Sequence, residues 1–161
     1  MPIPPELALT ADELDELMTS CWNMRIATLG PGRRINLTPL WFGWAGGKMY
    51  FYGRGQKVAN LRRNLTATVL VDRNERFPEL QGAMLQGRAT VLEDAAAEAA
   101  DPDLAMAKEQ MAAKYAGGHG EAGRQEYAGR TARGRHWRWM RFEPTHIVTW
   151  DNTKLPARPA G

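Results

Sequence analysis

Cysteine is almost missing from this chain. Among 161 residues only Cys21 carries a thiol, so no intrachain disulfide and no cysteine-based zinc site can form, and a reducing compartment suits the protein. Basic residues are missing from the N-terminus. The stretch from Met1 through Ser20 holds Glu6, Asp12, Glu13, Asp15 and Glu16 with no Lys or Arg, the reverse of a secretory leader. No apolar run approaches the roughly 20 residues that cross a bilayer, and neither end carries a lipidation signature. These absences predict a cytoplasmic protein without a membrane partner. Histidine is scarce too: His119, His136 and His146 lie far apart with no i, i+4 pairing, so no metal site is expected. Lysine is rare beside arginine, five against sixteen. Arginine is favoured where planar oxyanions are gripped, but the net charge of +3 is too small to predict a nucleic-acid partner.

What remains is an ordinary globular composition, with 43% hydrophobic and 24% charged residues, and a length suited to one domain spanning residues 1–161. Thr10 with Glu13 three residues later reads as a capping box opening a helix through Met18. Trp22 to Leu29 reads as a strand, and Gly30-Pro31-Gly32 as a hairpin turn. Ile35 to Trp44 reads as one strand whose Pro39 lacks an N–H and therefore belongs on an unpaired edge or a bulge. After Ala45-Gly46-Gly47, Met49 to Tyr52 is a strand, Val58 to Asn64 a short helix and Thr66 to Asp72 a strand. Ala83 to Leu92 alternates apolar and polar residues, as a half-buried strand does. Asp101-Pro102 reads as the N-cap and first-turn proline of a helix to about Tyr115. His136 to Trp150 is a long strand interrupted at Pro144, and 151–161 an extended tail. About six strands joined by short turns, with peripheral helices and an insertion over about 95–135, predict a mainly β fold, a small six-stranded antiparallel barrel.

The sharpest local motif is Tyr52-Gly53-Arg54-Gly55-Gln56-Lys57, between a strand and a helix. Free N–H groups at a helix start, two cations and two glycines make an anion site; the alternative is a solvated basic turn. It is neither a Walker loop nor a dinucleotide fingerprint, because their spacings are missing. Arg124, Arg130, Arg133, Arg135, Arg138 and Arg141 form the one basic concentration, offset only by Glu121 and Glu126. It reads as a solvated loop or a contact for an anionic ligand tail. Most of the six tryptophans are expected to fill core or interface, and Cys21 to be a buried structural thiol.

Arg25 to Gly30, Leu37 to Phe42, Met49 to Tyr52 and Gln56-Lys57-Val58-Ala59-Asn60-Leu61-Arg62-Arg63-Asn64 together resemble the pyridoxamine 5'-phosphate oxidase-like flavin-binding split barrels. The likeness extends through Thr68 to Asp72, Leu80 to Leu92 and Ile147 to Asp151. Its K-x-x-N-L-R-R helix is similar to the actinobacterial branch that uses FMN or the deazaflavin coenzyme F-420. The resemblance implies a homodimeric split barrel with the cofactor at the subunit interface and a small-molecule substrate. It implies that Lys57, Arg54 and Gln56 grip the cofactor phosphate, that Asn60 stands beside it, that Thr38, Pro39, Leu40 and Trp41 lie along the ring, and that Gln81 or Gly82 borders it. It also implies an oxidoreductase moving a hydride between cofactor and substrate, with no catalytic side chain required. A non-catalytic flavin, deazaflavin or haem carrier is the competing expectation. F-420 is favoured over FMN, because its anionic tail suits Arg62, Arg63 and the arginines up to Arg141. The C-terminal substrate-phosphate motif of the pyridoxamine oxidase itself is not recognisable here.

Overall fold

Thr10 starts the first helix by local chemistry alone. Its hydroxyl accepts from the Glu13 N–H at 3.2 Å while the Glu13 carboxylate accepts from the Thr10 N–H at 2.7 Å, the reciprocal pair of a capping box. In this computed structural model the residues described are 3–116, 121, 122, 125 and 134–156. The elements are α1 (Ala11–Ser20), β1 (Met24–Leu29), β2 (Ile35–Leu40), β3 (Gly43–Ala45), β4 (Lys48–Gly53), α2 (Gln56–Arg63), β5 (Thr66–Arg73), β6 (Gln81–Leu92), α3 (Ala95–Ala99), α4 (Leu104–Tyr115) and β7 (Arg138–Asp151). Among the described residues no helix is long and apolar enough to cross a membrane.

Among the described residues all seven strands form one antiparallel sheet in the order β2-β1-β5-β6-β7-β4-β3. Strands β2 and β3 stand at opposite ends of that order, yet only Trp41 and Phe42 join them. A link this short spans at most about 11 Å, so the sheet must curl until its ends meet. The curled sheet surrounds a core of Met24, Ile26, Phe42, Met49, Phe51, Val69, Leu85, Met140 and Phe142, sealed by Leu17 and Met18 of α1 and by Val58 and Leu61 of α2. A second cluster, in which Tyr50, Tyr52 and Trp139 meet Leu104, Ala107 and Met111, lies outside the barrel wall under α4. Covered on both sides, β4 is buried from Met49 through Gly53, and its unbroken Met-Tyr-Phe-Tyr run needs no polar face.

Several expectations are corrected. The strand expected over Ile35 to Trp44 is two, giving seven strands rather than six, because the chain leaves one sheet edge at Leu40 and joins the other at Gly43. Pro144 does not interrupt β7. The register slips beside it: Gln86 pairs with His146 and Gly87 with Pro144, so β7 itself carries one extra residue, Thr145, as a bulge, and Gly87 is required opposite because a Cβ would lie 2.1 Å from the Glu143 carbonyl oxygen. Asp101 is not the cap of α4. Asp103 holds that position, and the buried Asp101 carboxylate faces the barrel wall. There it accepts from the Tyr50 hydroxyl at 2.8 Å, the Arg141 guanidinium at 2.9 Å and the Asp103 N–H at 3.1 Å. The short helix α3, capped by Asp94 onto the Ala97 N–H, was not anticipated. The expected extended tail instead turns at Asn152–Lys154. Pro39 does lie on an edge strand, opposite Arg25. His119, Arg124, Arg130 and Arg133 fall outside the described residues.

Candidate functional site

Strand β4 ends at Gly53, and the chain reaches α2 through Arg54 and Gly55, whose φ of +80° suits glycine. Helix α2 has no side-chain cap, in contrast to α1 and α3. The N–H groups of Val58 and Ala59 are the first to find an acceptor, the Gly55 carbonyl, so those of the preceding residues point out of the helix end. Lys57 folds back to donate to the Arg54 carbonyl at 2.9 Å. Burial first, and then the neighbouring Arg54 charge, push the Lys57 amine below the ordinary lysine value. The Arg54 guanidinium lies over the Trp137 ring, 5.2 Å from its centroid.

A line of hydrogen bonds runs from this turn into the barrel. Gln56 donates to the Asn60 amide oxygen at 2.7 Å, and the Asn60 amide donates to the Thr28 hydroxyl at 3.1 Å. The Thr28 hydroxyl donates to the Asn36 carbonyl at 3.5 Å, and the Asn36 side chain accepts from Thr38 at 3.3 Å. Asn60 is fully buried, so it acts on the turn through Gln56. Thr28 and Asn36, which complete the line, were not singled out from the sequence; their only signal is a polar side chain at the inward phase of a strand. Gly30 keeps room beside Asn60, since a Cβ there would lie 3.3 Å from its amide oxygen.

The pleat divides the residues expected along the ring. Ile35, Leu37 and Pro39, with Trp41 just beyond the strand, are exposed on the outer face, whereas Thr38 and Leu40 are half-buried, Leu40 against the core. Trp41 stacks flat on Tyr115, centroids 4.4 Å apart and planes 5° from parallel. The Tyr115 hydroxyl accepts from the Phe42 N–H at 2.9 Å and donates toward the carbonyls of Trp22 and Phe42, fixing the crossing between the sheet edges. Gln81 stands apart. It accepts from Arg73 at 2.6 Å at the start of β6, whereas Arg88, about 23 Å further along the strand, is the residue that pairs with Thr66 beside the end of α2. Arg54, Gln56, Lys57, Asn60 and, through the polar line, Thr38 are therefore brought together; Gln81 in the same chain is not.

A family model described as pyridoxamine 5'-phosphate oxidase matches residues 10–145. The chain belongs to the pyridoxamine 5'-phosphate oxidase family. Its barrel is the split barrel of that family. Similar solved structures include the conserved hypothetical protein Rv2991 from Mycobacterium tuberculosis, at 20% identity and a TM-score of 0.79, covering 100% of this chain and 98% of that one. The haem-storage protein HutZ from Vibrio cholerae is 13% identical with a TM-score of 0.65, covering 86% and 94%. A FAD-binding protein from Mesorhizobium loti is 17% identical with a TM-score of 0.63, covering 88% and 93%. At these identities the likeness is one of fold. A search of curated proteins finds no match.

Beside the turn, a cleft of about 300 Å³ runs along α2, lined by Gly55, Ala59 and Arg62 and, from the segment entering β7, by Arg135, His136 and Arg138. Arg62 makes a two-pronged pair with Glu93, 2.7 and 2.6 Å, and Arg138 stands 3.6 Å from the same carboxylate. Arg141 is not part of this cleft: it pairs with Asp101 and Glu143. Among the described residues no group of three or more His, Cys, Asp or Glu is placed to hold a metal. Cys21 is buried, and burial pushes its thiol pKa up.

Proposed function

We propose that the chain is an oxidoreductase that grips the phosphate of a flavin-type cofactor at the β4–α2 turn, lays the ring along the outer edge of β2 and works as a homodimer. The observation that carries this reading is the turn itself. An uncapped helix start, a left-handed glycine and two cations converge there, and Lys57 bears both a burial cost and the repulsion of Arg54. An anion at this point would relieve both penalties and accept from the free N–H groups, so these residues fit a cofactor phosphate. When bound, a flavin or deazaflavin supplies the hydride chemistry from its ring. The chain's own part is to hold and shield: Lys57 and Arg54 bind the anion, and the Gln56–Asn60–Thr28 line fixes the helix start. Pro39 and Trp41 offer an apolar edge that excludes water.

The cleft along α2 favours the deazaflavin over FMN, because Arg62, Arg135 and Arg138 begin where the phosphate grip ends and suit an anionic tail. Relatives described as FAD-binding support a flavin-type ligand, and one described as a haem-storage protein keeps a carrier as the competing reading. Turnover of a reducible substrate separates enzyme from carrier.

The dimer is argued from the edge strand. Ile35 and Leu37 are 75% and 64% exposed, and with Pro39 and Trp41 they form an apolar stripe on a strand with an unpaired side. Such an edge invites pairing unless it is covered, and a second copy covers it. Sedimentation should therefore give twice the 18.0 kDa chain mass; a monomer at micromolar concentration would refute it. The cofactor reading is tested by the mass of the small molecule released on denaturation and by titration of cofactor-free protein with F-420 and FMN. Binding of neither overturns it.

A further inference from the structure

A second cleft, of about 420 Å³, opens where α1 ends and β1 begins, lined by Ser20, Cys21, Trp22, Arg25, Asp72 and Arg73 among others. Its volume falls within the range of small-ligand pockets. One wall is aromatic. Trp22 is 49% exposed, yet it is held firmly: its ring meets Trp41 edge-on at 6.5 Å and Tyr115 edge-on at 5.5 Å, and its backbone carbonyl accepts from the Tyr115 hydroxyl at 2.9 Å. The adjoining Cys21 carbonyl is fixed by the Lys114 amine at 2.9 Å.

The other wall is built from oriented guanidinium groups. Arg73 is locked by Glu16, through contacts of 2.9 and 2.7 Å, by Ser20 at 3.2 Å and by Gln81 at 2.6 Å. Arg25 is held through one nitrogen by Asp72, which leaves its remaining N–H donors for a ligand. An indole and a guanidinium lining one cleft can both stack on a flat molecule, and the spare donors ask for an acceptor oxygen. Fixing an exposed tryptophan so thoroughly contributes little to a core; in a pocket it removes the ordering cost that binding would otherwise carry.

We infer that this cleft binds a flat conjugated molecule bearing an acceptor oxygen, stacked on Trp22 and hydrogen-bonded to Arg25. Arg25 lies opposite Pro39 across the β1–β2 ladder, and Trp22 touches Trp41, so the cleft opens beside the strand edge assigned above to the cofactor ring. Resting on that assignment, the bound molecule is the second reactant of the oxidoreductase.

Calorimetric titration of the cofactor-free full chain with 2-naphthoate tests this, with cyclohexanecarboxylate as a probe of equal charge and no flat ring. The cleft predicts saturable 2-naphthoate binding, at least tenfold weaker binding of cyclohexanecarboxylate, and at least fivefold losses in Trp22→Leu and in Arg25→Met. Trp22→Phe, which keeps a ring, should retain most of the affinity, and thermal melting confirms that each variant is folded. Equal binding of the two probes, no saturable binding, or unchanged affinity in folded Trp22→Leu overturns the proposal. Lys57→Ala separates it from the cofactor reading: it should leave 2-naphthoate binding unchanged while weakening the cofactor. Trp22-dependent 2-naphthoate binding in a protein that takes neither FMN nor F-420 keeps the cleft and removes its assignment to the second reactant.

Discussion

Replacing Asp101 with Asn keeps the side-chain shape and removes one buried charge, which makes it a direct probe of how α4 is fastened to the barrel. The Asp101 side chain is 1% exposed. It accepts from Tyr50, which is fully buried, from the Arg141 guanidinium and from the Asp103 N–H, all within 3.1 Å. Burial alone would raise the Asp101 pKa, but these three donors outweigh it and hold the carboxyl below its ordinary value. Burial, together with Asp101, pushes the Tyr50 phenol in the opposite direction, upward. Breaking a buried pair by removing one charge costs about 3–5 kcal/mol. For a domain of this size each kcal/mol shifts the melting temperature by about 2–4 °C, so Asp101→Asn should melt about 6–20 °C lower. Because the folded pKa is depressed, the carboxylate's contribution is complete above its ordinary pKa and is lost as pH falls through the folded value. The variant should therefore lose stability most at neutral pH, with the gap to wild type closing in acid. Circular dichroism melts at pH 7 and pH 3 measure both effects, and Tyr50→Phe in the Asp101→Asn background should cost less than it does alone. A melting shift below about 3 °C at pH 7, or an undiminished gap in acid, would refute the account of this cluster.

Lys57→Ala should weaken cofactor binding by roughly tenfold to a hundredfold, the loss of a charge-assisted contact of about 1.5–3 kcal/mol, with the melting temperature of the cofactor-free protein unchanged; fluorescence titration checks it. Burial pushes the Lys114 amine down to about 8 while it donates to the carbonyls of Met18, Cys21 and Phe42. The unfolded chain then binds the extra proton between about pH 8 and the ordinary lysine value, so wild-type stability should rise across that window, and Lys114→Met should flatten the rise in urea titrations. Leu37→Asp puts a charge in the apolar stripe of β2 and should shift sedimentation from dimer to monomer without unfolding the barrel; an unchanged dimer would place the interface elsewhere.

Much of the fold is legible locally. The capping box of α1, the alternation along β6 and the glycine that opens α2 each write their element in neighbouring residues, and the structure follows them. What sequence reading misses is set by distant partners. Nothing in Ile35 to Trp44 marks a break, because the break comes from carrying the chain between the two ends of the curled sheet. Asp101 before Pro102 has the composition of a cap, but Tyr50 and Arg141 compete for the carboxylate and win, since a buried charge gains more from a hydroxyl and a guanidinium than from a helix end. Pro144 reads as an interruption only while the pairing with β6, which a bulge at Thr145 lets β7 keep, is out of view. At the candidate site, Arg54, Gln56, Lys57 and Asn60 are legible because they share one turn and one helix. Thr28 and Asn36 are not, since only the packing of α2 on β1 and β2 brings them to Asn60.

The central claim is that the β4–α2 turn holds the phosphate of a flavin-type cofactor and that the neighbouring arginine cleft selects the deazaflavin. Titrating cofactor-free protein with F-420 and with FMN, at low salt and at physiological salt, tests both halves together. The account predicts that F-420 binds more tightly at low salt, that its advantage shrinks as salt screens the exposed arginines, and that Lys57→Ala weakens both ligands alike. Tighter binding of FMN at low salt, or affinity for both cofactors that ignores Lys57, would contradict it.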